Sequence, residues 1–182
     1  MSITPATNER RFSKVHVVGF TGHRHLKNSE AVAAALRTEL EVIRQKGVEL
    51  VAISSVAIGA DSIFANEVIK AGIKWIALLP MPKEIFREDF SAEDWANAER
   101  LLAHAAQVRV LPGKGRPQSY LDCGKTTATE SDDLFAVWDG DPARGLGGTG
   151  EIIAYAQTLG RKITCFREKE GRVEKVDLSR VR

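Results

Sequence analysis

The chain lacks the features that would tie it to a membrane, a metal or an oxidising compartment. It holds two cysteines in 182 residues, Cys123 and Cys165, and they match no metal-binding spacing. They read as reduced thiols, which points to the cytoplasm. No stretch approaches the roughly 18 uninterrupted apolar residues of a bilayer span. The first residues, MSITPATNERRFSK, have no apolar core of the kind a signal peptide carries. Net charge is nearly absent: 26 basic against 24 acidic side chains leave +2. So even a balance gives no direct signal for nucleic acid and none for a membrane surface. No internal repeat or low-complexity tract is visible.

What is present is an ordinary globular mixture, 43% hydrophobic and 27% charged, enough to build a core at a length typical of one domain. Residues 1–12 read as a flexible N-terminal tail and 13–182 as one α/β domain. Short apolar runs alternate with helical patterns. Strands are expected at 15–20, 50–54, 75–79, 108–111, 134–138 and 163–166. They are rich in Val, Ile and Leu with little alternation, as in strands covered on both faces. Between them, SEAVAAALRTELEVIRQKG starts at a Ser29 cap and ends at Gly47, with Val32, Leu36, Leu40 and Ile43 on one stripe. GADSIFANEVIKAG, SAEDWANAERLLAHAA and GTGEIIAYAQTLG read as further helices. The C-terminal ITCFREKEGRVEKVDL suggests two strands around Glu170-Gly171. This alternation predicts a Rossmann-like, doubly wound fold: a mainly parallel sheet of about six strands with helices on both faces.

In such folds ligands bind beyond the carboxyl ends of the strands, so the residues after each strand matter most. After the first comes Thr21-Gly22-His23-Arg24. Gly22 allows a sharp turn or a close approach, and the Arg24 fork suits phosphate or carboxylate. After the second comes SSVAIGADS, where Gly59 precedes a helix and Asp61 sits in its first turn. Asp61 suits either a helix-end role or a ligand contact. Ser54 and Ser55 lie at the same edge and can reach a bound hydroxyl. After the fifth comes WDGDPARGLGGTGEIIAYA. Gly145, Gly147, Gly148 and Gly150 bring free N–H groups to a helix start, where the dipole also favours an anion. Thr149 adds a hydroxyl and Arg144 a cation. Asp61, Asp132 and Asp139 are candidate acceptors for ribose hydroxyls, and Trp138 is the better placed of the tryptophans to stack a base.

Two partial motifs do not carry the reading. Residues 145–150 satisfy G-x-G-x-x-G, but the dinucleotide fingerprint follows the first strand of a βαβ unit, and here it follows the fifth. CGKTT has Ser119 where a P-loop requires its first glycine. His23 and His25 lack a third ligand at recognisable spacing, so no metal is expected, and no cofactor either.

Together GFTGHR, SSVAIGADSIFANEVIKAG, LLPMPKEIFREDF, SDDLFAVWDG and GLGGTGEIIAYAQTLGRKI resemble the SLOG superfamily, over roughly residues 15–166. That superfamily includes the LOG-type phosphoribohydrolases and the DprA/Smf proteins. The resemblance implies a Rossmann-like fold and a site for a nucleotide or nucleotide derivative, such as an ADP-ribose derivative. Carried over by position, Gly147, Gly148 and Thr149 match the phosphate loop, Gly22 and Arg24 the first-strand loop, and Gly59 and Asp61 the second. Glu151 stands near the glutamate of LOG enzymes that acts in N-glycosidic cleavage. The chain has Leu146 where those enzymes carry proline, and it has no counterpart of their arginine-bearing helix motif. The likeness is closer to nucleotide-sensing branches, in which Trp138-Asp139-Gly140 is typical. Nucleotide binding is therefore the first expectation, and nucleotide N-glycosidase activity with Glu151 as catalytic residue is the alternative. LOG-type relatives usually assemble as dimers, so the resemblance also implies a homodimer or higher oligomer.

Overall fold

The computed structural model describes residues 14–141, 145–170 and 172–179. The tail expected at 1–12 lies outside them. The elements run β1 (Val15–Gly22), α1 (Ser29–Arg44), β2 (Glu49–Ser54), α2 (Ala60–Lys70), β3 (Lys74–Leu79), α3 (Lys83–Phe86), a 3-10 turn (Arg87–Asp89), α4 (Ala92–Leu102), β4 (Gln107–Val110), α5 (Arg116–Glu130), β5 (Asp133–Val137), α6 (Thr149–Thr158), β6 (Lys162–Lys169) and β7 (Arg172–Asp177).

They build one sheet of seven strands in the order β4-β3-β2-β1-β5-β6-β7. Every pairing is parallel except β6 with β7. The fold is thus the expected doubly wound α/β type, with one strand more than the six expected. The seventh is the second half of the C-terminal hairpin, which turns at Glu170 with φ of 50°.

Side chains of successive strand residues point to opposite faces, and two cores result. Val18, Phe20, Phe135 and Val137 pack toward α1, α2 and α4. Leu134, Ala136 and Ile163 pack toward α5 and α6. The apolar stripe Val32, Leu36, Leu40 and Ile43 is buried as its spacing predicts. The rings of Phe20 and Phe64 stack at 4.4 Å between centroids.

Two local features depart from the sequence reading. The cap of α1 is Asn28 rather than Ser29: its side-chain oxygen accepts from the Ala31 N–H at 3.0 Å. The second is α5, which the apolar pattern does not reveal. Its RPQSYLDCGKTTATE is poor in strong helix formers and rich in Thr and Ser. The available signal was Pro117 in the first turn, where a missing N–H costs nothing.

The chain winds outward from β1 through β2, β3 and β4, then returns to the other side of β1 with β5. Strand order therefore reverses between β1 and β5, and a crevice opens at their carboxyl ends.

Candidate functional site

The three loops singled out in the sequence meet at that reversal. Thr21, Gly22, Arg24, Ser55, Asp61, Asp139, Gly147, Gly148 and Thr149 all line one cavity of about 640 Å³. Arg144 lies outside the described residues. Gly59 and Glu151 are not among the lining residues.

Glycine chemistry explains how the first two loops come together. The His23 N–H donates to the Val137 carbonyl at 3.1 Å, and the His23 carbonyl accepts from the Ala60 N–H at 3.0 Å. The turn after β1 is thereby tied to both β5 and the start of α2. Gly59 has φ of 89°, and a Cβ there would lie 2.2 Å from the Arg24 carbonyl oxygen. Its role is close backbone approach beneath the Arg24 turn.

The third loop is held differently. Gly147 has φ of 79°, and a Cβ there would lie 2.7 Å from the Leu121 nitrogen, so the loop is pressed onto α5. The Glu151 carboxylate accepts from the Gly147 N–H at 2.8 Å. The first turn of α6 thus braces its own preceding loop. Gly148 caps α6 without a side chain, which leaves the helix start open toward the cavity.

A further wall comes from α5, which supplies Tyr120, Cys123, Gly124 and Thr127. Sequence reasoning missed these with the helix itself. It also passed over Leu26 and Lys27, which line the cavity just before α1. The Arg24 guanidinium lies over the Tyr120 ring, 5.6 Å from its centroid. The Tyr120 hydroxyl donates to Asp89. Burial, and then the Asp89 acceptor, push the Tyr120 phenol up to about 12.

Asp61 is the electrostatic centre of the floor. Burial pushes its carboxyl up to about 7, and Arg24 pulls it only partly back. The neighbouring Cys123 thiol is pushed up as well, first by burial and then by the Asp61 charge, so it stays a neutral thiol.

At the rim, His23 Nδ1 stands 3.6 Å from the Asp139 carboxylate. The Asp141 N–H also donates to Asp139, at 2.9 Å. Trp138 is half-buried on the cavity wall and donates its indole N–H to the Asp141 carbonyl at 2.8 Å.

Two other candidates are elsewhere. Asp132 sits before β5, at the opposite end of the sheet, and accepts from the Val17 N–H at 2.9 Å. Ser54 is buried in the core, where it accepts from the Trp75 indole at 3.0 Å. Among the described residues no helix is long and apolar enough to cross a membrane.

No protein-family model matches the chain, and no curated protein matches it. Solved structures do. DNA processing protein A from Helicobacter pylori, described for its single-stranded DNA binding mode, is 17% identical with a TM-score of 0.58, over 89% of this chain and 69% of that one. DprA from Streptococcus pneumoniae is also 17% identical at 0.58, over 87% of this chain and 52% of that one. The chain thus spans about half the length of the Streptococcus protein. TM1055 is 15% identical at 0.50, over 82% and 72% of the two chains. These likenesses overturn the expectation of no nucleic-acid signal, because that expectation rested on net charge alone and a similarly folded protein is described as binding single-stranded DNA. Net charge averages over the surface and is silent about a local groove. The chain has a Rossmann-like fold similar to that of DprA.

Proposed function

We propose that the chain binds a nucleotide or nucleotide derivative in the cavity between β1 and β5. The observation that carries this reading is the meeting of residues 21–24, Ser55 with Asp61, and 147–149 around one cavity of about 640 Å³. The glycine loop before α6 and the Arg24 fork suit phosphate, and Trp138 offers an aromatic face for a base. Calorimetry with a panel of nucleoside mono- and diphosphates and ADP-ribose tests the reading. A saturating one-site isotherm is expected, weakened at least tenfold by Gly148→Asp, which places a negative charge at the α6 start. Silence across the panel would count decisively against it.

A second reading is favoured by the likeness to a protein described as binding single-stranded DNA. A cavity for one nucleotide can also hold one unit of a strand. Fluorescence anisotropy with a labelled oligonucleotide separates the two, since a strand reader binds the oligonucleotide far more tightly than any mononucleotide.

The N-glycosidase alternative rests on Glu151. Its carboxylate is engaged with the Gly147 N–H, which supports a positioning role for this residue. Incubation with nucleoside monophosphates and chromatography for free base decides whether turnover occurs.

A further inference from the structure

The polar groups on the floor of the cavity are short of partners. Ser55 Oγ is buried, and its one polar neighbour among the described residues is the neutral Cys123 thiol, a weak partner that makes no hydrogen bond of ordinary geometry with it. Its neighbour Ser54 is satisfied by the Trp75 indole and by the Ser55 carbonyl. Asp61 lines the same cavity, and no hydrogen bond to its carboxylate is found among the described residues. Arg24 acts on it through its charge, and Cys123 lies beside it as a neutral thiol. A buried polar group without a partner is rare in a folded protein and marks a place where something else completes the bond.

We propose that Ser55 and Asp61 read the sugar of the bound nucleotide and select ribose over 2′-deoxyribose; this rests on the nucleotide reading above. The cavity offers three kinds of wall. The start of α6, where Thr149 and Gly150 line the cavity, suits phosphate. Trp138, Leu26 and Leu146 offer apolar surface, which suits a base face. The remaining wall is a hydroxyl beside a carboxylate, and the remaining part of a nucleotide is its sugar. A vicinal diol presents two O–H donors on adjacent carbons, which one carboxylate accepts together. Ser55 Oγ then gains the neighbouring hydroxyl as its missing partner. The 2′-hydroxyl is the group that separates ribose from deoxyribose ligands.

The test is calorimetry on the 182-residue chain with ribonucleoside 5′-mono- and diphosphates of all four bases, each paired with its 2′-deoxy counterpart. The best ribonucleotide is expected to bind about 10- to 100-fold more tightly than its deoxy partner, the range of one charge-assisted hydrogen bond. Asp61→Asn and Ser55→Ala are expected to shrink that gap to about threefold or less, because the ribonucleotide loses more affinity than the deoxynucleotide, which has only its 3′-hydroxyl to lose. Equal binding of a ribo–deoxy pair by the unaltered chain overturns the sugar assignment and leaves the nucleotide site standing. A gap that survives in both variants overturns the role of these two residues. No binding of any pair overturns the nucleotide reading and this inference with it.

Discussion

Single residues decide whether the loops can meet. At Gly59 a side chain would strike the Arg24 carbonyl, and φ is 89°. Gly59→Ala is expected to cost about 2–4 kcal/mol, because both backbone strain and a backbone clash must be relieved. Gly47 serves as its control: φ is 71°, but nothing lies within 4 Å. Gly47→Ala is expected to cost about 1–2 kcal/mol, the strain of the left-handed conformation alone. Urea denaturation of the two variants measures the difference, and equal costs would show that the approach of Arg24 is not tight. Asp61 makes a second prediction. Its carboxyl moves from 3.8 in the unfolded chain to about 7 in the fold. The folded state therefore keeps a proton that the unfolded state has released between those values. Stability falls as pH rises from about 4 to about 7, by at most about 4 kcal/mol. Asp61→Asn removes that slope, which a denaturation series from pH 4 to 8 reads directly. An unchanged slope in the variant would place the titrating group elsewhere.

At the scale of elements, the loop before α6 and the helix α5 depend on each other. Gly147 lies against the backbone at Leu121, and a Cβ on Gly124 would lie 2.4 Å from Ile152 of α6. Two glycines thus permit α5 and α6 to approach closely enough to shape one wall. Glu151 closes the arrangement by holding the Gly147 N–H. If that is its role, an acceptor is needed there but a charge is not. Glu151→Ala is expected to weaken nucleotide binding about 5- to 10-fold, the worth of one ordinary hydrogen bond, and Glu151→Gln by less than about threefold. Release of free base by the unaltered chain, abolished in Glu151→Gln, would instead restore a catalytic role. The strands and four of the longer helices were legible because their apolar residues recur at the period their burial requires. For α5 the period fails, since Ser119, Thr127 and Gly124 fill buried or close-contact positions that the search for apolar residues skips.

For the whole molecule, ligand binding and stability are linked. A nucleotide at a hundredfold excess over its dissociation constant stabilises the fold by about 2.7 kcal/mol. For a chain of this length that corresponds to a rise of roughly 5–11 °C in melting temperature, measured by thermal shift. No rise at saturating nucleotide would oppose the binding reading. Both cysteines are free and buried. Melting is accordingly expected to be the same with and without reductant; a fall on adding reductant would reveal a disulfide that this fold does not contain.

The sequence alone determined the strand–helix alternation, the doubly wound class and the glycine-bearing turns, because each is written in local spacing and in backbone freedom. It also placed Thr21, Gly22, Arg24 and Ser55 at strand ends and Asp61 in the first turn of the next helix. Only the tertiary structure decided which strand ends share a cavity. Asp132 and Asp139 are seven residues apart, yet β5 carries one to each end of the sheet. The orphaned Ser55 hydroxyl and the shifted Asp61 carboxyl are likewise properties of assembled surroundings. They arise when β1, β2 and α5 exclude water together, and no local pattern records that.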